Sequence, residues 1–252
     1  MTPHCKPRVQ WRKWSSGILV GLLVSVGSLS AAYAQTQVKF NVPDIEAPGN
    51  RESAAQRGSS EECLPTNTPL MAIVPETNIG LTTAAYPSVY VYVPPTAAKT
   101  ARFVIFDEAT NTSLYEEEFA IDVPDGGIVT VSLPNNGIQQ PLKVNQTYYW
   151  YFSLECDADD PDANPVVESN IQRVDPTSDL SESLAISEPQ TLPLIYAEAG
   201  IWYDALAASA DLSESNPSEA NSGAERTPRL EWRDLLQSVG LTSIANSPLL
   251  GE

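Results

Sequence analysis

The side chains able to do chemistry are unevenly placed along this chain. Its one histidine, His4, lies in a basic N-terminal stretch, and nothing after Gln35 supplies another imidazole. A Ser-His-Asp or Cys-His mechanism needs that ring as its proton carrier, and ordinary zinc sites draw on it as a ligand. No G-x-S-x-G, H-E-x-x-H or glycine-rich phosphate loop is present either. Carboxylates remain, 32 of them. Two carboxylates with separated pKa values can hydrolyse a glycoside, but among so many no spacing singles out a pair. A carboxylate-based hydrolase is therefore only an alternative reading. The expectation is a non-enzyme without a cofactor.

Three other groups invite a binding reading. Asp157, Asp159, Asp160, Asp162 and Asn164 crowd one loop, as oxygen ligands around calcium would. The glycine and the closing glutamate of an EF-hand loop are missing, so a solvated turn is the plainer account. Tyr90 and Tyr92 alternate with Val89, Val91 and Val93, and Tyr149 and Tyr151 alternate with Tyr148, Trp150 and Phe152. Together the four tyrosines could form a strip on which sugar rings stack. A strand apolar on both faces is more often covered on both, and helices later in the chain are available for that. Cys63 and Cys156 are predicted to form a disulfide, since Cys5 is lost with the leader described next.

Met1 to Lys13 carries Lys6, Arg8, Arg12 and Lys13 and no acid; an apolar run from Gly17 to Leu29 follows, then Ala32-Tyr33-Ala34. This is the pattern of a signal peptide cleaved between Ala34 and Gln35. The run is short against the roughly 20 residues of a membrane span. Membrane contact is thus expected only through the signal before cleavage, with an extracytoplasmic product, periplasmic or secreted. Such a compartment is oxidising and favours the disulfide. The leader takes four of the 14 Lys+Arg and none of the acids, leaving ten basic side chains against 32 acidic ones. That charge repels nucleic acid, whose binding rests on neutralising phosphates, and disfavours anionic membranes.

The elements that must position these groups follow from periodicity. Residues 35–62 are polar and broken by Pro43, Pro48, Gly49 and Gly58, and read as a flexible lead-in, with Val38 and Phe40 alternating as a short edge strand would. Residues 63–175 read as β. Strands are predicted at Leu70–Val74, Ser88–Val93, Ala101–Phe106, Leu114–Ile121, Ile128–Leu133, Thr147–Leu154 and Val166–Val174, with Pro, Gly and Asn between them. Short strands at this spacing suggest an antiparallel sandwich. Within Thr147–Cys156, alternation puts Tyr148, Trp150, Phe152, Leu154 and Cys156 on the core side. Leu142, six residues before Tyr148, resembles the entry to the strand of immunoglobulin-like and fibronectin-like sandwiches in which a tyrosine pins a corner. Residues 176–252 read as helical: a helix capped by Thr177 or Ser178, a pair around Gly200, a polar linker from Ser213 to Arg226, and an amphipathic helix at Leu230–Val239. Tyr196 to Leu206 looks like the middle of one tetratricopeptide unit. A lone unit cannot form a solenoid, so it should pack on the sandwich, with Glu198, Asp204, Glu168 and Arg173 as candidate ion-pair partners across that contact.

Four segments together are distinctive: Ala72-Ile-Val-Pro75 through Gly80-Leu-Thr82 and Tyr86-Pro87 to Tyr92-Val-Pro94; Thr147 to Asp157; Tyr196 to Leu206; and Trp232 to Leu241. In this order they resemble the family called domain of unknown function 928, found chiefly in exported cyanobacterial proteins, over about Cys63 to Leu249. The resemblance implies an envelope or secreted location and no established activity, so it brings no functional residues. Where that family often carries an arginine after the second cysteine, this chain has the acidic run Asp157 to Asp162. The resulting expectation is an exported α+β protein, a sandwich followed by a small helical segment, acting as a non-catalytic binding or assembly module of the cell envelope. Its partner would be an envelope protein or a polysaccharide, and a carbohydrate-binding module using the tyrosine strip is the first alternative.

Overall fold

A computed structural model describes residues 38–53, 63–64, 68–157, 160, 164–215 and 228–250, with side chains from Glu231 onward in the last stretch. The predicted signal peptide, part of the lead-in, Asp159, Asp162 and most of the polar linker lie outside the described residues.

All seven strands predicted between Leu70 and Val174 form and two short ones join them, whereas Val38 to Phe40 forms no strand. In chain order they are β1 (Met71–Ala72), β2 (Ile79–Thr82), β3 (Ser88–Val93), β4 (Thr100–Asp107), β5 (Thr112–Ala120), β6 (Gly127–Ser132), β7 (Gln146–Leu154), β8 (Val166–Arg173) and β9 (Leu249–Leu250). They make two sheets, β1-β3-β6-β9 and β2-β8-β7-β4-β5. The sandwich is antiparallel except at the two additions, β2 on β8 and β9 on β6, which are parallel. Alternation along β7 holds: Tyr148, Trp150, Phe152 and Leu154 are buried, with Trp150 against Phe103 of β4 at 5.9 Å between ring centroids. The Tyr148 hydroxyl accepts the Lys143 N–H at 2.8 Å, pinning the loop behind buried Leu142.

The helices are α1 (Ser178–Ile186), α2 (Leu192–Glu198), α3 (Trp202–Ser215) and α4 (Pro228–Ser238). Thr177 caps α1 by accepting the Leu180 N–H. The α2–α3 turn closes at Gly200 in the left-handed region, where a Cβ would stand 2.9 Å from the Asn41 carbonyl oxygen. From the start of α3, Trp202 and Tyr203 enter between the sheets. The Trp202 indole donates to the Ile73 carbonyl at 2.8 Å, just past β1. Tyr203 accepts the Trp150 indole N–H at 3.0 Å and donates to the Asn170 carbonyl of β8 at 3.2 Å. Gly80 of β2 makes room for this wedge, since a Cβ there would lie 2.6 Å from the Tyr203 ring.

The described part of the lead-in, residues 38–53, packs against the sandwich and α2. Val38 and Phe40 are buried, and Phe40 meets Trp202 edge-on at 4.7 Å. Asn41 N–H donates to Ala197 O of α2, Ala72 N–H to Arg51 O, and Glu168 N–H to Asn50 O, so the segment touches α2 and both sheets. Arg51 donates to the carbonyls of Val74 and Val239 at 3.1 and 3.0 Å. α4 has no basic residue in its last turn, and Arg51 brings the favourable positive charge to that helix end from elsewhere in the chain. Buried backbone groups on irregular segments must find partners, and these contacts supply them despite the polar, proline-broken sequence.

Cys63 and Cys156 form a disulfide across 93 residues of sequence, with Cα atoms 5.6 Å apart. It ties the chain before β1 to the end of β7. A disulfide of this kind belongs with proteins of oxidising compartments outside the cytoplasm. Among the described residues no helix is long and apolar enough to cross a membrane. The Cys63→Ala/Cys156→Ala double variant should lose about 2–4 kcal/mol of stability, because a long loop is freed in the unfolded chain. Urea unfolding of the oxidised and double-variant proteins measures this; equal midpoints would show that the bridge contributes nothing.

Candidate functional site

The four tyrosines do not form one strip, because they sit on different sheets. Tyr90 and Tyr92 belong to β3, in the four-stranded sheet, and are 3 % and 9 % exposed. Tyr90 packs edge-on against Trp232 of α4 at 5.3 Å. α4 therefore covers Tyr90, and Tyr92 beside it on the same face is buried as well.

Tyr149 and Tyr151 lie on the outer face of the five-stranded sheet and remain half-buried. Their companion is Phe106 of β4, directly opposite Tyr149 in the register. The Phe106 ring lies 6.4 Å from Tyr149 and 6.1 Å from Tyr151, within 35° and 26° of parallel. Val104, paired with Tyr151 across β4 and β7, is buried below. Burial, then a hydrogen bond to Glu168 of β8, pushes the Tyr149 phenol well above its usual pKa, so it stays a neutral donor. Arg102 and Glu116 form a partly exposed pair at one margin. The result is a patch of three neighbouring rings flanked by charged groups, on a sheet face left partly open. Phe106 ends a predicted strand on the side opposite Phe103 and Ile105, but its proximity to Tyr149 depends on the β4–β7 pairing, which no local pattern carries.

Of the acidic loop, Asp157, Asp160 and Asn164 are described. The Asn164 side-chain oxygen accepts the N–H groups of Cys156 and Asp157 at 2.8 and 3.0 Å, and its amide donates to Glu155. Asp157 accepts the Asp160 N–H at 3.2 Å. The Asn164 oxygen is thus engaged by two backbone N–H groups, while Asp159 and Asp162 lie outside the described residues. Among the described residues no group of three or more His, Cys, Asp or Glu is placed to hold a metal.

The expected ion pairs between helices and sandwich do not form. Glu198 is exposed and Glu168 serves Tyr149. Arg173 donates to the Leu142 and Thr83 carbonyls. Asp204, in the first turn of α3, accepts from the Thr82 hydroxyl at 2.6 Å and from the Thr83 hydroxyl and N–H. Neutral hydroxyl and amide donors take the place of a cation at the end of β2. Asp204 borders a cleft of ≈ 360 Å³ that Tyr86, Tyr196 and Asp211 also line. Burial raises the pKa of Asp204 against these lowering hydrogen bonds, and burial also raises Asp211. A carboxylate gripped by three donor groups fastens α3 to the sheet.

A two-sheet sandwich wedged open by an aromatic helix start and carrying an open aromatic patch is the class defined by these features. The family described as Domain of Unknown Function (DUF928) matches residues 52–249, and the chain belongs to it. No curated protein matches the sequence. Among solved structures it is similar to Astrotactin-2, a conserved vertebrate-specific and perforin-like membrane protein involved in neuronal development, at 14 % identity and a TM-score of 0.25. That likeness covers 71 % of this chain and 38 % of the other, and at such a score it supports no inference.

Asp204→Ala strands the fully buried Thr82 hydroxyl and the Thr83 N–H, and should cost about 3 kcal/mol. The pH dependence has a defined sign. The folded pKa lies above the ordinary 3.8, so the unfolded chain releases this proton first as pH rises. Asp204 therefore makes stability fall with rising pH between 3.8 and its folded value. Asp204→Asn should remove that component. Denaturant titrations of both proteins across the acid range test it; parallel stability curves would mean that Asp204 titrates as in the unfolded chain.

Proposed function

We propose that this protein is an exported, non-catalytic binding module of the cell envelope, and that its aromatic face holds an extended polysaccharide. The observation carrying this reading is the half-open group Phe106, Tyr149 and Tyr151. Aromatic rings bury large apolar area with few rotatable bonds, which suits them to the flat apolar faces of sugar rings. Glu168, Arg102 and Glu116 around the rings offer hydrogen-bonding groups for sugar hydroxyls. Export is supported by the leader pattern with its Ala34–Gln35 site and by the disulfide. The family resemblance adds a cyanobacterial envelope as the setting. A non-catalytic role agrees with the histidine-free chain after Gln35 and with the hydrogen-bonded state of Asp204.

The test is affinity electrophoresis of the Gln35–Glu252 protein through gels containing soluble envelope polysaccharides. Wild type should be retarded, and Tyr151→Ala should bind about tenfold more weakly, equivalent to about 1.4 kcal/mol, with an unchanged circular dichroism spectrum. No retardation in any gel would sink the polysaccharide reading. New reducing ends after incubation would replace it with the hydrolase.

A further inference from the structure

The margin of the sandwich away from the α3 wedge is open. There β5 is the terminal strand of its sheet, paired with β4 alone among the described strands. Between β5 and the other sheet runs a groove of ≈ 530 Å³, into which β5 directs Tyr115, Glu117 and Phe119. Val129 and Val131 of β6, with Leu250 of β9, line the opposite wall. Protein interiors normally fill such space to crystal-like density, so this seam is a trough beside a strand edge. Gln139 donates to the Leu114 carbonyl at the start of β5, and Ile138 next to it is 84 % exposed.

Charge selects what can enter. Glu117 and Glu118 are consecutive on β5, while Glu116 and Asp122 on either side of them are already paired with Arg102 and Lys99. Glu117 points into the apolar groove, where the Tyr115 hydroxyl donates to it at 2.8 Å. Acids on an edge strand discourage pairing with a like copy, because two such edges would bring the same charges together. They complement a strand of opposite charge.

We propose that β5 accepts an extended segment of a basic partner protein, which adds a strand to the five-stranded sheet. At every second position, on the face toward the groove, the segment carries apolar, basic and apolar residues in turn: the apolar side chains drop beside Phe119 and Val131, and the lysine or arginine between them meets Glu117. Backbone bonding supplies affinity and the alternate side chains supply specificity, as in other strand-addition complexes. This surface is separate from the aromatic face, so either can fail without the other.

The probe is the capped peptide Thr-Val-Thr-Lys-Thr-Val-Thr, titrated into the Gln35–Glu252 protein by calorimetry. Three control peptides accompany it: one scrambled, one with Glu for Lys, and one N-methylated at alternate backbone positions. The parent peptide should bind, the controls at least tenfold more weakly, and Glu117→Gln should weaken the parent by a similar factor at unchanged thermal midpoint. Amide resonances of Tyr115 to Ala120 should shift with the parent only. Absence of binding overturns the proposal, as does equal binding of the scrambled peptide, which would mean attraction by net charge. Indifference to N-methylation would mean an apolar-ligand groove and no added strand. A protein that sediments as a dimer with those amides protected would mean that a second copy occupies the edge.

Discussion

At the start of α3 the Tyr203 ring stands between the two sheets with its hydroxyl fully engaged. It takes the Trp150 indole N–H from β7 and gives its proton to the Asn170 carbonyl of β8. Burial raises the phenol's pKa, so the group stays neutral and can do both. A buried polar atom left without partners costs about 1–3 kcal/mol, so the hydroxyl fixes where α3 may sit almost as a socket fixes a plug. Beside it Trp202 bonds the Ile73 carbonyl and packs on Phe40. Both sheets, the lead-in and the helical pair therefore share one aromatic junction. Asp204, one residue further, is aimed at Thr82 and Thr83 by the same placement.

This junction makes the molecule asymmetric. One margin of the sandwich is filled by α3 and by the lead-in that ties α2 to β8 and β1. At the other margin the terminal strands among the described residues are β5 and the two-residue β9, and there the groove remains. The outer faces differ in the same way. Trp232 of α4 lies on Tyr90, whereas Tyr149 and Tyr151 stay half-buried. A β-sandwich has two outer faces and two margins to protect, and the helical segment, entering from one side, reaches only half of them.

What local pattern could reveal follows that division. Alternation placed Trp150 and Phe152 in the core because period two is a property of the strand alone. Capping chemistry at Thr177 and the glycine at the α2–α3 turn were equally local. β2 escaped because Ile79-Gly-Leu-Thr82 is short and contains a glycine, whose reason is the Tyr203 ring more than a hundred residues away. The polar composition of the lead-in gives no local sign of the contacts its described part makes, which are backbone bonds to distant groups and the burial of Val38 and Phe40. The tyrosine strip failed for a related reason: residue type showed which strands carry rings, but sheet membership is a long-range pairing. Only after β4 is placed beside β7 does Phe106 join Tyr149 and Tyr151.

The side chains that suggested ionic links show how an acidic, histidine-poor chain manages burial. With ten basic residues left after Gln35 against 32 acids, few buried carboxylates can have a cationic partner. A buried ion pair must recover a desolvation cost of several kcal/mol per ion. Asp204 instead gathers threonine hydroxyls and an amide, Glu168 takes a tyrosine hydroxyl, and Glu117 takes another. Hydroxyl donors leave the net charge of each site unchanged. Each such carboxylate therefore keeps its negative field, and where it lies near the surface, as Glu117 and Glu168 do, that field is available to a basic or hydroxyl-rich partner. The scarcity of cations thus leaves Glu168 beside the aromatic face and Glu117 in the groove held by neutral tyrosine hydroxyls.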